Sequence, residues 1–327
     1  MKLTATCLAA FAACFFTANG AELRISGPYT HNNLSIYLVH GPDRIQKKYL
    51  TLAEAMEQHK VMVYETGSVN RLQVENRSDE DVYIQSGEIV KGGMQDRVLK
   101  DDMILPSSSG RIDVTAFCVE HGRWTQRGNE PSRAFAASPN AIASPQMKRA
   151  VMATAQQSQV WAEVSAAQDQ LARNLAAPVR STVSASSYQL TLEAPKVQHA
   201  TEGFKQEYSG LAGRFPDAVG YVAAVNGKVT GADVYATHDL FRKLWPKLVE
   251  SAAVEAMASA KPDDKAAPPS MAEVRTAATG YGARISSESQ MNQRTRSVKA
   301  ELAEGLVFET KDADAPTALV HRSYVAK

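Results

Sequence analysis

Apolar positions recur along this chain with two different periods. From residue 23 to about 124 they alternate in short runs closed by turn residues. "LSIYLV" (34–39) is built of strand formers, and "RLQVEN" sets Leu72 and Val74 on one face. "VYI" repeats the rhythm with Val82 and Ile84 after the turn "NRSDED". "RIDVTAFCVE" gives Ile112, Val114, Ala116 and Cys118 a common face. "LTLAEAMEQHK" (50–60) interrupts these strands as a short helix. Such a series of short strands predicts an antiparallel sandwich or barrel.

After "RAFAASPNAIASP" the period lengthens. Residues 145–176 hold no Gly, and no Pro beyond Pro145, and carry Trp161, Val164, Leu171 and Leu175 at helical spacing, which predicts one long helix. A second helical stretch covers 196–213. "VGYVAAVNGKVTGADVYA" has two alternating segments around Asn226-Gly227, the pair that favours a two-residue type I′ hairpin. A helix over 238–257 follows, with Thr237 as its cap, an apolar stripe through Leu240, Phe241, Leu244, Trp245 and Leu248, and a kink expected at Pro246. "KPDDKAAPPS" (261–270) reads as a solvated linker and "TALVHRSYV" (317–325) as a late strand. The fold class predicted is α+β: a β-rich, sandwich- or barrel-like N-terminal half, a long helix, and a hairpin-plus-helix unit packed onto it.

The chain has 327 residues, 44% hydrophobic and 22% charged, which suffices for a large core. Its formal net charge of +1 sets up no global field toward nucleic acid or an anionic membrane, so no nucleic-acid partner is expected. Lys2, the apolar run Leu3 to Phe16 and the small residues Ala18-Asn19-Gly20-Ala21 have the layout of a secretory signal peptide over residues 1–20, cleaved after Gly20 or Ala21. That run is too short for a stable membrane span. Phe11-Ala12-Ala13-Cys14 resembles a lipoprotein box, but the two phenylalanines after the cysteine favour soluble export, to the periplasm or beyond. With Cys7 and Cys14 removed, Cys118 is left without a disulfide partner, a small core residue or a reactive thiol.

Several motifs fail on inspection. Gly87 and Gly92 have phosphate-loop spacing, but Gly93 and Met94 follow where Lys and Ser/Thr are needed. No G-x-G-x-x-G opens a helix and no G-x-S-x-G occurs. The seven histidines are scattered, so neither a metal site nor a cofactor is expected. Two charged stretches remain, "GEIVKGGMQDR" (87–97) and "FCVEHGRW" (117–124), each a strand running into a glycine turn. Arginine there is a natural partner for carboxylate or phosphate, and tryptophan a stacking surface. The plainer reading has Glu88–Arg97 and Glu120–Arg123 as structural ion pairs, Gly92-Gly93 as a turn, and Trp124 and Trp245 in the core.

These same stretches carry a resemblance. "VENRSDEDVYIQSGEIVKGGMQDRVLKDDMILP", "FCVEHGRW" and "AVNGKVTGADVYATHDLFRKLWPKLVESAAVEA" resemble, in order, the ADP-ribosylglycohydrolase- and rhodanese-phosphatase-associated protein domain. Gly87, Glu88, Gly92, Gln95, Arg97, Cys118, Glu120, Gly122, Arg123 and Trp124 match that pattern. Gly93-Met94 stands where the family often has Ala-Lys, and His121 where Gln is common. The resemblance implies a family domain over 21–260, comprising a β-rich part (21–125), the long helix (145–176) and a helix–hairpin–helix part (196–258). The linker 261–270 and an extension over 271–327 would follow. It also implies a nucleotide or ADP-ribose link without a defined reaction.

The function expected is an exported domain that binds an anionic small molecule or a protein partner through 87–97 and 117–124. The ligand-binding candidates are Lys91, Gln95, Arg97, Arg123 and Trp124. One alternative is an enzyme acting on a nucleotide- or sugar-phosphate-like substrate, with Glu88 or Glu120 as general acid/base. Another is an envelope scaffold built on the Ala/Gln-rich helix.

Overall fold

The computed structural model describes residues 23–261 and 266–327; the expected leader lies outside the described residues. β1 (Arg24–His31) and β2 (Leu34–His40) form a hairpin, and β3 (Leu50–Thr51) leads into α1 (Leu52–Glu57). Thr51 and Glu54 close a capping box at the start of α1. There follow β4 (Val61–Ser68), β5 (Arg71–Asn76), β6 (Val82–Ile84), β7 (Glu88–Gly92), β8 (Arg97–Leu99), β9 (Met103–Leu105), β10 (Gly110–Cys118) and β11 (Phe135–Ile142). Six of these make a sheet in the order β11-β7-β8-β10-β5-β4. It curls until its edges meet, for Tyr64 bridges to Ala134 and the Glu65 amide donates to Arg133 O at 3.1 Å. Leu72, Val74, Val90, Leu99 and Val114 fill the resulting half-barrel.

The long helix expected over 145–176 is broken. α2 (Pro145–Arg149) runs into a π-turn (Ala150–Thr154), and α3 (Gln157–Asn174) begins only after Ala155, which is left-handed at φ 52. Thr154 Oγ1 donates back to Ala150 O at 2.6 Å, a bond that competes with regular helix. The break brings Gln157 beside Cys118, where its amide receives the Cys118 N–H and donates to the Cys118 carbonyl, both at 2.8 Å. An unbroken helix would leave those strand-end groups without this partner.

Next come α4 (Tyr188–Leu192), α5 (Pro195–Tyr208), α6 (Leu211–Arg214), β12 (Ala218–Val225) and β13 (Lys228–Tyr235). Asn226 (φ 51) and Gly227 (φ 74) make the predicted tight hairpin between the last two. α7 (His238–Ala258), capped by Thr237, continues as one helix through Pro246. α8 (Met271–Thr279) and β14 (Arg284–Gln290), β15 (Thr295–Glu301), β16 (Gly305–Asp312) and β17 (Leu319–Ala326) complete the fold.

The segment expected to be an extension is part of the main sheet, whose order is β1-β2-β12-β13-β17-β16-β15-β14. The molecule is α+β and β-rich, but its β units interleave rather than dividing at residue 125. β12 explains why. Tyr221, Ala223 and Val225 face the core shared with α3, α5 and α7, while Val222 and Ala224 face a second core under α8. A strand buried on both faces reads as a continuous apolar run and needs neighbours on each side. It finds them in β2 and β13. No helix among the described residues is long and apolar enough to cross a membrane.

Candidate functional site

The two charged stretches meet at one end of the half-barrel. Residues 87–97 form a strand–turn–strand in which β7 pairs antiparallel with β8, and Arg97 lies opposite Cys118 of β10. The turn requires its glycines. Gly92 and Gly93 have φ 116 and 55, and a Cβ on Gly93 would overlap the Phe135 ring, which accounts for glycine at a position where the family often has alanine.

Arg123 holds this turn to the second stretch. Its guanidinium donates to Gly92 O (3.2 Å), Gly93 O (3.1 Å) and Thr125 O (2.6 Å), and its Nε to Glu120 Oε1 (2.7 Å). Glu120 also accepts from Arg127 (3.3 Å) and from the Asp96 amide (3.1 Å). Asp96 receives a two-pronged grip from Arg127 at 2.7 and 2.8 Å, together with Ser187 Oγ and the Gly92 N–H. Burial alone would raise the Glu120 pKa, but the hydrogen bonds from Arg123 and the Asp96 amide hold it below the usual range. Glu120 is therefore an ionised, fully engaged structural carboxylate, poorly suited to proton transfer.

The candidates divide accordingly. Gln95, Arg97, Glu120, Arg123 and Trp124 come together; Glu88 and Lys91 do not join them. The expected Glu88–Arg97 pair does not form. Glu88 is 1% exposed and accepts from Lys247 of α7 at 3.0 Å and from the Gln85 amide, whereas Arg97 pairs with Glu65 at 3.3 Å and donates to Gln95 O at 2.7 Å. The expected Glu120–Arg123 pair does form. Lys91 is held by Glu193 at 2.7 Å, and Gln95 Nε2 donates to Glu120 O. Arg97 and Glu120 are fully buried, so neither presents itself to a ligand. Cys118 is buried too, and burial raises its thiol pKa to about 11.

Trp124 is different. It is 40% exposed, with Trp245 as the core tryptophan, and it lies 5.6 Å from the Arg97 guanidinium. It lines a groove of about 720 Å³ at the seam where the half-barrel closes, with Tyr64, Glu65, Met94, Arg111 and Arg133 among the other walls. Arg111 lies over the Tyr64 ring at 4.0 Å. Arg111 and Arg133 are both exposed, and neither lies within salt-bridge distance of a carboxylate among the described residues, although Arg111 stands opposite Glu75 of β5 and acts on its charge. The Glu65 charge is already met by Arg97 and by the amides of Thr66, Gly67 and Met94. Sequence reasoning missed Arg111, Arg133 and Tyr64 because nothing local marks them; only the curl of the sheet gathers them. It also missed Asp96 and Arg127, although Asp96 stands between two named candidates and its charge called for a partner.

A second polar cluster lies deeper, and residues 87–97 contribute little to it. His321 of β17 is 1% exposed and sits between two carboxylates, Asp102 at 2.7 Å from Nδ1 and Asp233 at 3.0 Å from Nε2. Lys148 reaches Asp233 at 3.3 Å, Tyr221 donates to it, and Tyr235 stacks on the imidazole at 4.5 Å. Burial lowers the His321 pKa, but Asp102 and Asp233 outweigh it and raise it to about 9. With a carboxylate on each ring nitrogen the imidazole must carry both protons. Among the described residues no group of three or more His, Cys, Asp and Glu is arranged to hold a metal ion.

Searches of curated proteins and of solved structures each find no match. The family model for the ARG and Rhodanese-Phosphatase-superfamily-associated Protein domain matches residues 22–325, well past the boundary expected at 260, and the chain belongs to that family.

Proposed function

We propose that this is a binding domain for an anionic small molecule carrying a planar ring, held in the seam groove. One observation carries the reading: Arg111 and Arg133 stand exposed in the groove wall beside Trp124, neither within salt-bridge distance of a carboxylate among the described residues, while Arg123 and Arg127 are paired with buried carboxylates. Two exposed guanidinium groups suit a phosphate or carboxylate, and an indole suits a base or other flat ring. The buried web of Asp96, Glu120, Arg123 and Arg127 then acts as the rigid floor that holds the groove in shape. The site is thus next to the stretches singled out in the sequence, with only Trp124 of the original candidates in its wall. Export remains part of this proposal, resting on the apolar run and small residues at 1–21.

ADP-ribose is a suitable probe, because it joins a diphosphate to an adenine ring. The wild-type melting temperature should rise with ADP-ribose or AMP, by the usual mass action of a ligand that binds only the folded state. Arg111→Ala combined with Arg133→Ala should keep the unliganded midpoint and lose that rise. No shift with either nucleotide would sink the small-molecule reading. A shift with an acidic peptide alone would replace it with a protein partner.

A further inference from the structure

At one edge of the main sheet, three side chains form a line of short hydrogen bonds. Ser26 Oγ lies 2.7 Å from His40 Nε2, and His40 Nδ1 lies 2.8 Å from Asp217 Oδ1. The sheet register produces this line. His40 ends β2, which runs between β1 and β12, and Ser26 stands opposite Leu38, two places back on the same face. Ala218 pairs with His40 from the other side, so Asp217 reaches the imidazole just before β12 begins. A bulge adds Tyr29. Gly27 and Pro28 lie against Tyr37 alone, which turns Tyr29 onto the face of Ser26. Gly27 has φ 110, and a Cβ there would sit 2.8 Å from Ile36 O, so the bulge requires glycine.

The bond directions follow from the groups themselves. A carboxylate only accepts, so Asp217 receives the Nδ1–H and the neutral imidazole keeps an acceptor at Nε2. Ser26 Oγ then donates to Nε2, and the Tyr29 hydroxyl, 3.2 Å away, donates to Oγ. Arg24 holds the other oxygen of Asp217 at 2.8 Å. The bonds from His40 and Arg24 keep the Asp217 carboxyl below the usual carboxylate range. His40 is buried, while Ser26 is half-buried. The Phe215 ring meets the imidazole edge-on at 5.6 Å and lies 6.0 Å from the Tyr29 ring.

We propose that Ser26, His40 and Asp217 form a nucleophilic triad that hydrolyses uncharged carboxylic esters, at a site separate from the seam groove. A hydroxyl in hydrogen-bond reach of a base, with the base oriented by a third group, is the arrangement that activates serine, whatever the order in the chain. Oγ attacks the ester carbonyl carbon while its proton passes to Nε2, and Asp217 steadies the imidazolium. The Tyr29 hydroxyl is the donor placed beside the oxyanion that forms. Collapse breaks the acyl C–O bond, and Nε2 returns the proton to the leaving alcohol. Water, giving a proton to the same nitrogen, then cleaves the acyl–Ser26 ester and restores the hydroxyl. The Tyr29 and Phe215 rings give the site an apolar wall, and Arg24 is already engaged, which favours an ester without charge.

Exposure of the purified protein to p-nitrophenyl acetate tests this. The wild type should release p-nitrophenolate in a burst of about one equivalent and carry an acetyl group on Ser26, located by peptide mass spectrometry. Ser26→Ala should keep the melting temperature and lose both signals. Asp217 is a positioning residue, so Asp217→Asn should slow Ser26 acetylation by at least about 100-fold at a similar melting temperature, with part of the rate recovered in Asp217→Glu. Acetyl groups found only on lysines or the N-terminus overturn the proposal. A burst that survives in Ser26→Ala overturns it as well, as does an unchanged rate in Asp217→Asn.

Discussion

Two of the buried charge clusters in this protein are built on opposite plans. Under the seam groove, Asp96 and Glu120 are matched by Arg123 and Arg127 through forked, charge-assisted bonds. Between the sheets, Asp102 and Asp233 are matched by His321 and Lys148. Guanidinium stays charged at any ordinary pH, so the first cluster keeps its balance throughout the neutral range. The second depends on an imidazole, whose charge is conditional. One cluster forms a permanent floor for an open groove; the other joins elements from distant parts of the chain and holds only while protonated.

Removing a guanidinium from the first cluster should have the largest effect. Arg127→Ala leaves the buried Asp96 charge to the Gly92 N–H, Ser187 Oγ and the more distant Arg123 guanidinium, and the expected loss is about 3 kcal/mol in urea unfolding at neutral pH. A loss below about 1 kcal/mol, the level of an exposed pair, would show that solvent reaches the web and that the comparison is false.

The second test is the pH slope. An unfolded histidine titrates near about 6.5, and folded His321 near about 9. Its contribution is therefore complete below about pH 6.5, declines above it, and is lost as pH rises through about 9. The groups facing it are Asp102 from the loop before β9, Asp233 and Tyr235 from β13, and Tyr83 from β6, with Lys148 beyond Asp233. Burial raises the pKa of both tyrosines, so they stay neutral in this window. The wild-type urea midpoint should fall between pH 6 and pH 9, and His321→Gln should flatten that fall. Equal slopes in the two proteins would remove His321 as its source.

Cys118 gives a smaller, kinetic test of how tightly the first cluster is sealed. With no exposed surface and a raised pKa, its thiol should react with iodoacetamide far more slowly in native than in unfolded protein. Comparable rates would mean that the β10 end opens readily. Smallest of all is Lys91→Ala at the rim. That side chain is 24% exposed and its pair with Glu193 should contribute about 0–1 kcal/mol, within the range of surface ion pairs. A larger loss would extend the web outward to α4.

Legibility followed sequence distance. The first cluster draws on 87–97 and 117–127, so its turn and its Glu120–Arg123 pair could be read from adjacent residues. The hairpin at Asn226-Gly227 and the cap at Thr237 were legible for the same reason. The His321 cluster was not, because Asp102, Lys148, Asp233 and His321 meet only when four separate segments pack. "TALVHRSYV" was recognisable as a strand, but no local pattern says that a strand will pair in the middle of a sheet. The break at Ala155 was hidden too, since alanine is a strong helix former and the demand came from β10.

The position of β17 also orders the life of the nascent chain. The half-barrel is assembled from residues 61–142, a continuous stretch that can close soon after it is made. The eight-stranded sheet joins residues 24–40 to 218–235 and then, through β17, to 284–326, so its inner edge on β13 stays bare until 319–326 arrive. Until residue 319 is made, all the strands of the half-barrel are present while β13 offers unpaired backbone to any passing strand. A ribosome that stalled before residue 319 would leave that edge exposed and prone to pairing between chains.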